Sequence, residues 1–305
     1  MNPATTIISP AKCAVFGANG YLGRHIVHFL QLAGHAVQAY DIQNASAAAS
    51  VPYRQLDVAD CTSWTAFDDS IDAVFFFAGL TGTHQGFEQA QRYLAVNEGG
   101  LLYLLERIRL AGRPIKIIFP STRLVYAGSD DPLAEEAPKL PKTIYAVNKL
   151  ACEHYLHAYN NAFGIPYAVF RICVPYGNVL SDDYSYGTIG FFLRQAQAGK
   201  PITLYGDGSQ RRTFTHVQYL CRQVIGAGLN PECQHERLNV GGEDFSLREV
   251  AHLIAARYNV SVACREWPPA DWRLESGSTV FDAATVQRFV SLESRVNLSE
   301  WVTSL

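Results

Sequence analysis

Tyr145 and Lys149 stand four residues apart in a stretch, 143–163, that reads as a helix, so both side chains share one face. A phenol with its ordinary pKa of ~10 is a poor base at neutral pH. A nearby ammonium favours the phenolate, and a second neighbouring cation adds to the effect. Such a phenol can exchange a proton with an alcohol or sugar hydroxyl. The spacing alone is common, and an amphipathic surface pair is the plain alternative. Thr122 narrows the choice. It follows the apolar run 115–119, so it falls at the carboxyl end of a strand, where its hydroxyl could hold a reacting oxygen for Tyr145. Ser121 is the second candidate, although an adjacent hydroxyl can instead cap a turn. His84 and His216 also carry acid/base chemistry, but each reads as a satisfied polar residue.

The elements that must position these groups start near the N-terminus. Residues 13–16 are apolar and run into Gly17, Gly20 and Gly23; Leu22, Ile26, Phe29 and Leu30 then recur on one side of a helix. Strand, glycine turn and helix would form an anion cradle, with a purely structural turn as the plain alternative. Gly17 lets the chain turn, Gly20 lets backbone N–H groups approach a pyrophosphate, and Gly23 lets helix and strand pack closely. The spacing is G-x-x-G-x-x-G. Asp41 ends the next apolar run, near the offset of a ribose-binding carboxylate. Further short apolar runs at 36–40, 73–77 and 115–119 suit strands covered on both faces. Helical stretches are expected around Trp64 and Phe67, capped by Asp60, and from Leu94 through Leu101, Leu102, Leu105 and Ile108 to Gly112. The pattern is α/β: a Rossmann-like, doubly wound parallel sheet, with ligands at the carboxyl ends of its strands.

After the strand expected at 165–172 the texture changes. Residues 178–187 are polar and turn-rich; a helix at 188–198, strands at 202–205 and 211–217, and a helix at 247–258 follow. Residues 1–174 read as the dinucleotide-binding domain, with additions from 213–240, and 175–305 mainly as a smaller C-terminal substrate-binding lobe. With 305 residues, 48% of them hydrophobic, there is ample core. A net charge of −3 offers no broad footprint for nucleic acid. No apolar run reaches a membrane span, and residues 1–10 do not read as a signal peptide. Seven cysteines without a C-x-x-C spacing read as free thiols in a reducing cytoplasm.

Taken in order, Gly17-x-x-Gly20-x-x-Gly23, Asp41, Asp57-Val58, Ala78-Gly79, Asn97, Ser121-Thr122-Arg123-Leu124-Val125-Tyr126, Tyr145-x-x-x-Lys149 and Arg171 resemble the extended short-chain dehydrogenase/reductases, in their nucleotide-sugar epimerase/dehydratase branch. The similarity continues through Tyr205-Gly206-Asp207-Gly208, Arg212 to Val217 and Asn239-Val240-Gly241. The resemblance implies NAD as cofactor, held by Gly17, Asn19, Gly20, Tyr21, Leu22, Gly23, Asp41, Asp57, Val58, Ala78, Gly79, Asn97, Tyr145 and Lys149. It makes Tyr145 the acid/base, Lys149 the group that lowers its pKa, and Thr122 the holder of the reacting hydroxyl. A nucleoside-diphosphate sugar would meet Thr81, Ser121, Thr122, Tyr145, Arg212 and Arg273, with Arg212 on the diphosphate. A carboxylate at 41 would repel a 2′-phosphate and so favour NAD. The activity implied is sugar epimerisation by transient oxidation of a hydroxyl; a 4-keto-sugar reductase or dehydrogenase, or a non-catalytic dinucleotide sensor, are the alternatives. A homodimer through the Tyr145 helix, with Leu150 and Leu156 on its apolar side, is also expected. Three departures stand out. Arg123-Leu124 replaces the Asp-Glu pair of 4,6-dehydratases, which disfavours water elimination. Cys173-Val174-Pro175 replaces a substrate-touching asparagine. Gly99-Gly100 replaces the usual glycine and threonine.

Overall fold

The computed structural model describes residues 9–48, 50–181, 186–290 and 296–305. Most of the N-terminal stretch 1–10 and the middle of the polar stretch 178–187 lie outside the described residues. Twelve strands are present among them: β1 Lys12–Phe16, β2 Ala36–Asp41, β3 Tyr53–Gln55, β4 Ala73–Phe76, β5 Lys116–Thr122, β6 Tyr167–Ile172, β7 Val174–Tyr176, β8 Ile202–Tyr205, β9 Arg211–His216, β10 Glu236–Asn239, β11 Glu243–Ser246 and β12 Val262–Arg265.

Seven of them make one parallel sheet in the order β10-β6-β5-β4-β1-β2-β3. Chain order reverses between β1 and β4, and such a reversal opens a crevice beyond the carboxyl ends of the strands. The central strands, such as β4 and β6, are buried along their whole length because both faces are covered, whereas the edge strands β3 (Tyr-Arg-Gln) and β10 (Glu-Arg-Leu-Asn) are polar. On one face Val15, Ile26, Leu30, Ile118 and Val224 share a core; on the other Phe16, Trp64, Leu104, Cys152 and Leu156 do. A third core, around Phe192, Leu193, Phe214, Val250 and Trp301, holds the smaller lobe. There β11, β9 and β7 form one small sheet, and β12 with β8 another. Thus β10 extends the large sheet, whereas β9, expected to add to the dinucleotide-binding side, pairs within the lobe.

Two local features place the cleft. β5 pairs with β4 only through Lys116, Ile117 and Ile118, but with β6 as far as Thr122. Its last residues overhang β4, which is why Pro120, lacking an N–H, is tolerated there. The overhang carries Ser121 and Thr122 into the crevice. The second feature is the wall opposite. The expected single helix from Leu94 is a π-helical turn, Leu94–Gly99, running into an α-helix, Gly100–Ala111, which Gly112 ends at φ 65°. A Cβ on Gly100 would lie 2.9 Å from Val58, so Gly100 lets this helix close onto the Val58 loop. The helix expected near Trp64 is only a 3₁₀ turn, Ser63–Ala66; Asp60 does not cap it but accepts from the Thr62 N–H.

Candidate active site

The cleft begins at the glycine turn. Gly17 has φ +74°, and a Cβ there would meet the Ala78 nitrogen at 2.6 Å. A Cβ on Gly23 would overlap the Gly17 carbonyl oxygen, which fixes the close packing of helix Tyr21–Leu32 on β1. Gly20 is the N-cap of that helix and no side chain caps it, so its amino end is left to an anion. Asp41 sits at the end of β2, where its carboxylate accepts the N–H groups of Asn19 (3.0 Å) and Gln43 (3.2 Å). Together with Asp57, Val58, Ala78, Gly79 and Asn19 it lines a cavity of about 270 Å³. A larger cavity of about 500 Å³ adjoins it, sharing Gly17, Gly20, Phe77, Gly79 and Leu80. Its walls include Tyr21, Leu22, Thr81, Ser121, Thr122, Arg123, Tyr145, Lys149 and Cys173. A bare glycine floor, an uncapped helix start and a carboxylate at the far end fit a dinucleotide.

Helix Ile144–Phe163 presents Tyr145 and Lys149. Thr143 caps it by accepting from the Ala146 N–H at 3.1 Å, which fixes where its first turn begins. The ammonium of Lys149 lies 4.4 Å from the centre of the Phe119 ring and 5.9 Å from that of Tyr145. Burial lowers Lys149 to about 8. Burial also raises the Tyr145 phenol above its ordinary value; Tyr186 and Tyr93 add to the rise and the Thr122 hydroxyl counters it. The expected drop of the phenol pKa beside the lysine is therefore not present in the protein alone. Desolvation dominates, and Lys149 is not among the groups that act on the phenol.

Not every expected residue turns to the cleft. Asn97 is buried and clamps the neighbouring loop: its Oδ1 accepts the Leu80 N–H at 2.7 Å and its Nδ2 donates to the Leu80 carbonyl at 3.1 Å. Ser121 lines the cavity, yet its hydroxyl donates to Glu153 at 2.5 Å. Arg212 is buried and forked on the Glu275 carboxylate at 3.1 and 3.0 Å. Arg273 departs from expectation: it is exposed, its Nε donates to the Pro269 carbonyl, and it lines neither cavity. His84 faces solvent beside Asp271. His216 caps the helix Val217–Leu229, and burial lowers it to about 4.

Sequence reasoning missed Glu153. It lies four residues beyond Lys149 on the same helix face, and that register was the available signal. Its carboxylate accepts from Arg171 Nη2 at 2.6 Å and Nε at 3.0 Å, with both residues fully buried. Arg171 also donates to the Tyr126 hydroxyl and the Glu135 carbonyl, each at 2.7 Å. The network ties the end of β5 to β6 and to the Tyr145 helix, directly behind the cleft.

A glycine-floored dinucleotide cleft beside a threonine, tyrosine and lysine defines an extended short-chain dehydrogenase/reductase. The chain belongs to the NAD dependent epimerase/dehydratase family, whose model matches residues 13–241. It is 30% identical over 259 residues to a UDP-glucuronate 4-epimerase of Thermodesulfobacterium geofontis, covering 79% of this chain and 78% of that one. It is 28% identical to a UDP-N-acetyl-alpha-D-glucosaminuronate decarboxylase of Bacillus cytotoxicus, over 80% of this chain and 79% of the other. The fold matches Thermus thermophilus UDP-glucose 4-epimerase in complex with NAD, with a TM-score of 0.82, 24% identity and 96% of each chain covered. It also matches MoeE5 in complex with UDP-glucuronic acid and NAD, with a TM-score of 0.81, 26% identity and 95% of this chain and 96% of that one covered. The family cofactor is NAD.

Proposed function

We propose that this chain is an NAD-dependent epimerase of a UDP-sugar. The observation that carries the reading is one cavity wall holding Thr122, Tyr145 and Lys149 opposite the glycine turn. Gly17, Gly20 and Gly23 with the helix amino end would take the pyrophosphate, Asp41 the adenosine ribose, and Asp57 with Val58 the adenine. When bound, NAD supplies reversible transfer of a hydride at the reacting sugar carbon. Thr122 holds the sugar hydroxyl against Tyr145. Tyr145 takes that proton during oxidation and returns it during reduction. The Lys149 ammonium lies over the Phe119 and Tyr145 rings, where it would serve a ribose hydroxyl and the phenolate as it forms. Arg212, whose Nε is buried without a partner, would meet the diphosphate.

The loss of the Asp-Glu pair after Thr122 supports epimerisation over dehydration, and Asp41 supports NAD over NADP. A homodimer fits the exposed Tyr103 and Leu110 on helix Gly100–Ala111 and Val147 and Phe163 on the Tyr145 helix. Leu156, expected on that face, is instead in the core. A cytoplasmic setting agrees with seven free cysteines and with the absence, among the described residues, of any helix long and apolar enough to cross a membrane. The test incubates NAD-loaded enzyme with UDP-glucose, UDP-glucuronate and UDP-N-acetylglucosamine and resolves products by chromatography. Interconversion of epimers without consumption of added NADPH is expected; turnover only with stoichiometric NADPH refutes epimerisation.

A further inference from the structure

The departure at position 123 leaves a charge that the roles above do not use. Arg123 follows Thr122 and lines the same cavity. Its only hydrogen bond among the described residues is a long one, 3.5 Å, from Nη1 to the Thr279 hydroxyl. Arg212 and Glu275 are its charged neighbours, and of the two arginines only Arg212 is in ion-pair contact with that carboxylate. That carboxylate is already occupied: both oxygens accept from Arg212, and Oε1 also accepts the Gly277 N–H at 3.0 Å. Cys173, the next group on this wall, is a thiol that burial keeps protonated. Two guanidinium groups against one carboxylate leave one positive charge over, beside the hydroxyl of Thr122.

A half-buried guanidinium with open donors is a costly arrangement unless an anion completes it. Arg212, held by Glu275, accounts for the diphosphate; Arg123, adjacent in sequence to the residue that orients the sugar hydroxyl, is set to meet the sugar itself. Its planar fork matches a carboxylate in two parallel bonds. We propose that Arg123 is a specificity residue that binds a carboxylate on the sugar ring, so that the substrate is a nucleotide-linked uronic acid. This rests on the nucleotide-sugar reading above.

The experiment measures calorimetric binding of UDP, UDP-glucose and UDP-glucuronate to NAD-loaded wild type and Arg123→Gln. In the wild type UDP-glucuronate is expected to bind at least about tenfold more tightly than UDP-glucose. Arg123→Gln removes about that factor for UDP-glucuronate and leaves UDP and UDP-glucose within about threefold. Equal weakening of all three makes Arg123 a diphosphate contact and overturns the inference, as does a wild type that prefers UDP-glucose; the proposed function survives either. A wild type that binds none of the three overturns both. The melting temperature without ligand supplies a second readout. It should stay level or rise in Arg123→Gln, because a half-buried charge without an ion-pair partner has gone, and a fall of several degrees would make the residue structural.

Discussion

Replacing Glu153 by glutamine tests the frame behind the cleft. Both partners of the Arg171–Glu153 pair are buried, at 2% and 1% exposure, so solvent screens the pair little. The amide keeps the shape of the carboxylate but loses its charge, and turns an NH₂ group toward donors that need an acceptor. Two charge-assisted bonds from Arg171 and one from Ser121 end on Glu153. At about 1.5–3 kcal/mol for each bond to a charged group, the Arg171 pair alone accounts for about 3–6 kcal/mol. Breaking a buried pair from one side independently predicts about 3–5 kcal/mol. Urea denaturation of wild type and Glu153→Gln, followed by tryptophan fluorescence, should show a loss in that range, with a lower midpoint and little change in slope. Glu153→Leu combined with Arg171→Met should recover part of it, because no fully buried charge is left unpaired; Arg237, 3.7 Å from Glu153, loses that contact but is 31% exposed. A loss below about 1 kcal/mol for Glu153→Gln would refute the reasoning: the pair would then be hydrated and not the clamp that fixes Ser121 and Thr122.

Tyr145→Phe should lower turnover by about a hundredfold to ten-thousandfold while NAD and nucleotide-sugar binding, read by calorimetry, persist; unchanged turnover would remove the phenol from the chemistry. Asp41→Asn should weaken NAD binding by about tenfold and narrow the preference over NADP, measured by fluorescence titration of both cofactors. His216 sits well below its ordinary 6.5, at about 4, because burial disfavours its charge. The unfolded chain therefore takes up a proton first as pH falls. The stability this neutral ring contributes is complete above pH 6.5 and is lost between there and about 4, amounting to about 3 kcal/mol. His216→Asn keeps a capping acceptor and removes the titration, so the wild-type-minus-variant difference in unfolding free energy should fall across that window; a flat difference would contradict it.

Five of the seven strands of the large sheet were legible because they are short, apolar and separated by helical spacing, and because a glycine turn fixes where the first pair opens; the polar edge strands β3 and β10 carry no such signal. Asp41, Thr122, Tyr145 and Lys149 could be found because each marks the end of a strand or the face of a helix. Other features depended on partners distant in sequence. The π turn at Leu94–Gly99 leaves no mark in apolar spacing, and the need for Gly100 lies in Val58, forty-two residues earlier. For Arg212 both a phosphate contact and a salt bridge were legible, but not that its partner would be Glu275, sixty-three residues later. Arg273 matched by residue type alone, and nothing local showed that it would point to solvent. The direction of the Tyr145 shift was missed for a similar reason: periodicity reveals which groups are neighbours, but not how much water both have lost.

Tyr21 belongs to the first turn of the glycine-loop helix, yet its hydroxyl donates to the Gly177 carbonyl at 2.7 Å and its ring stacks on Tyr186, with centroids 4.6 Å apart. Tyr186 in turn borders the larger cavity and acts on the Tyr145 phenol. One aromatic pair thus joins the helix start at the floor of the cofactor cleft to the lining of the larger cavity. A displacement of the helix start would therefore be felt at that lining without crossing the sheet.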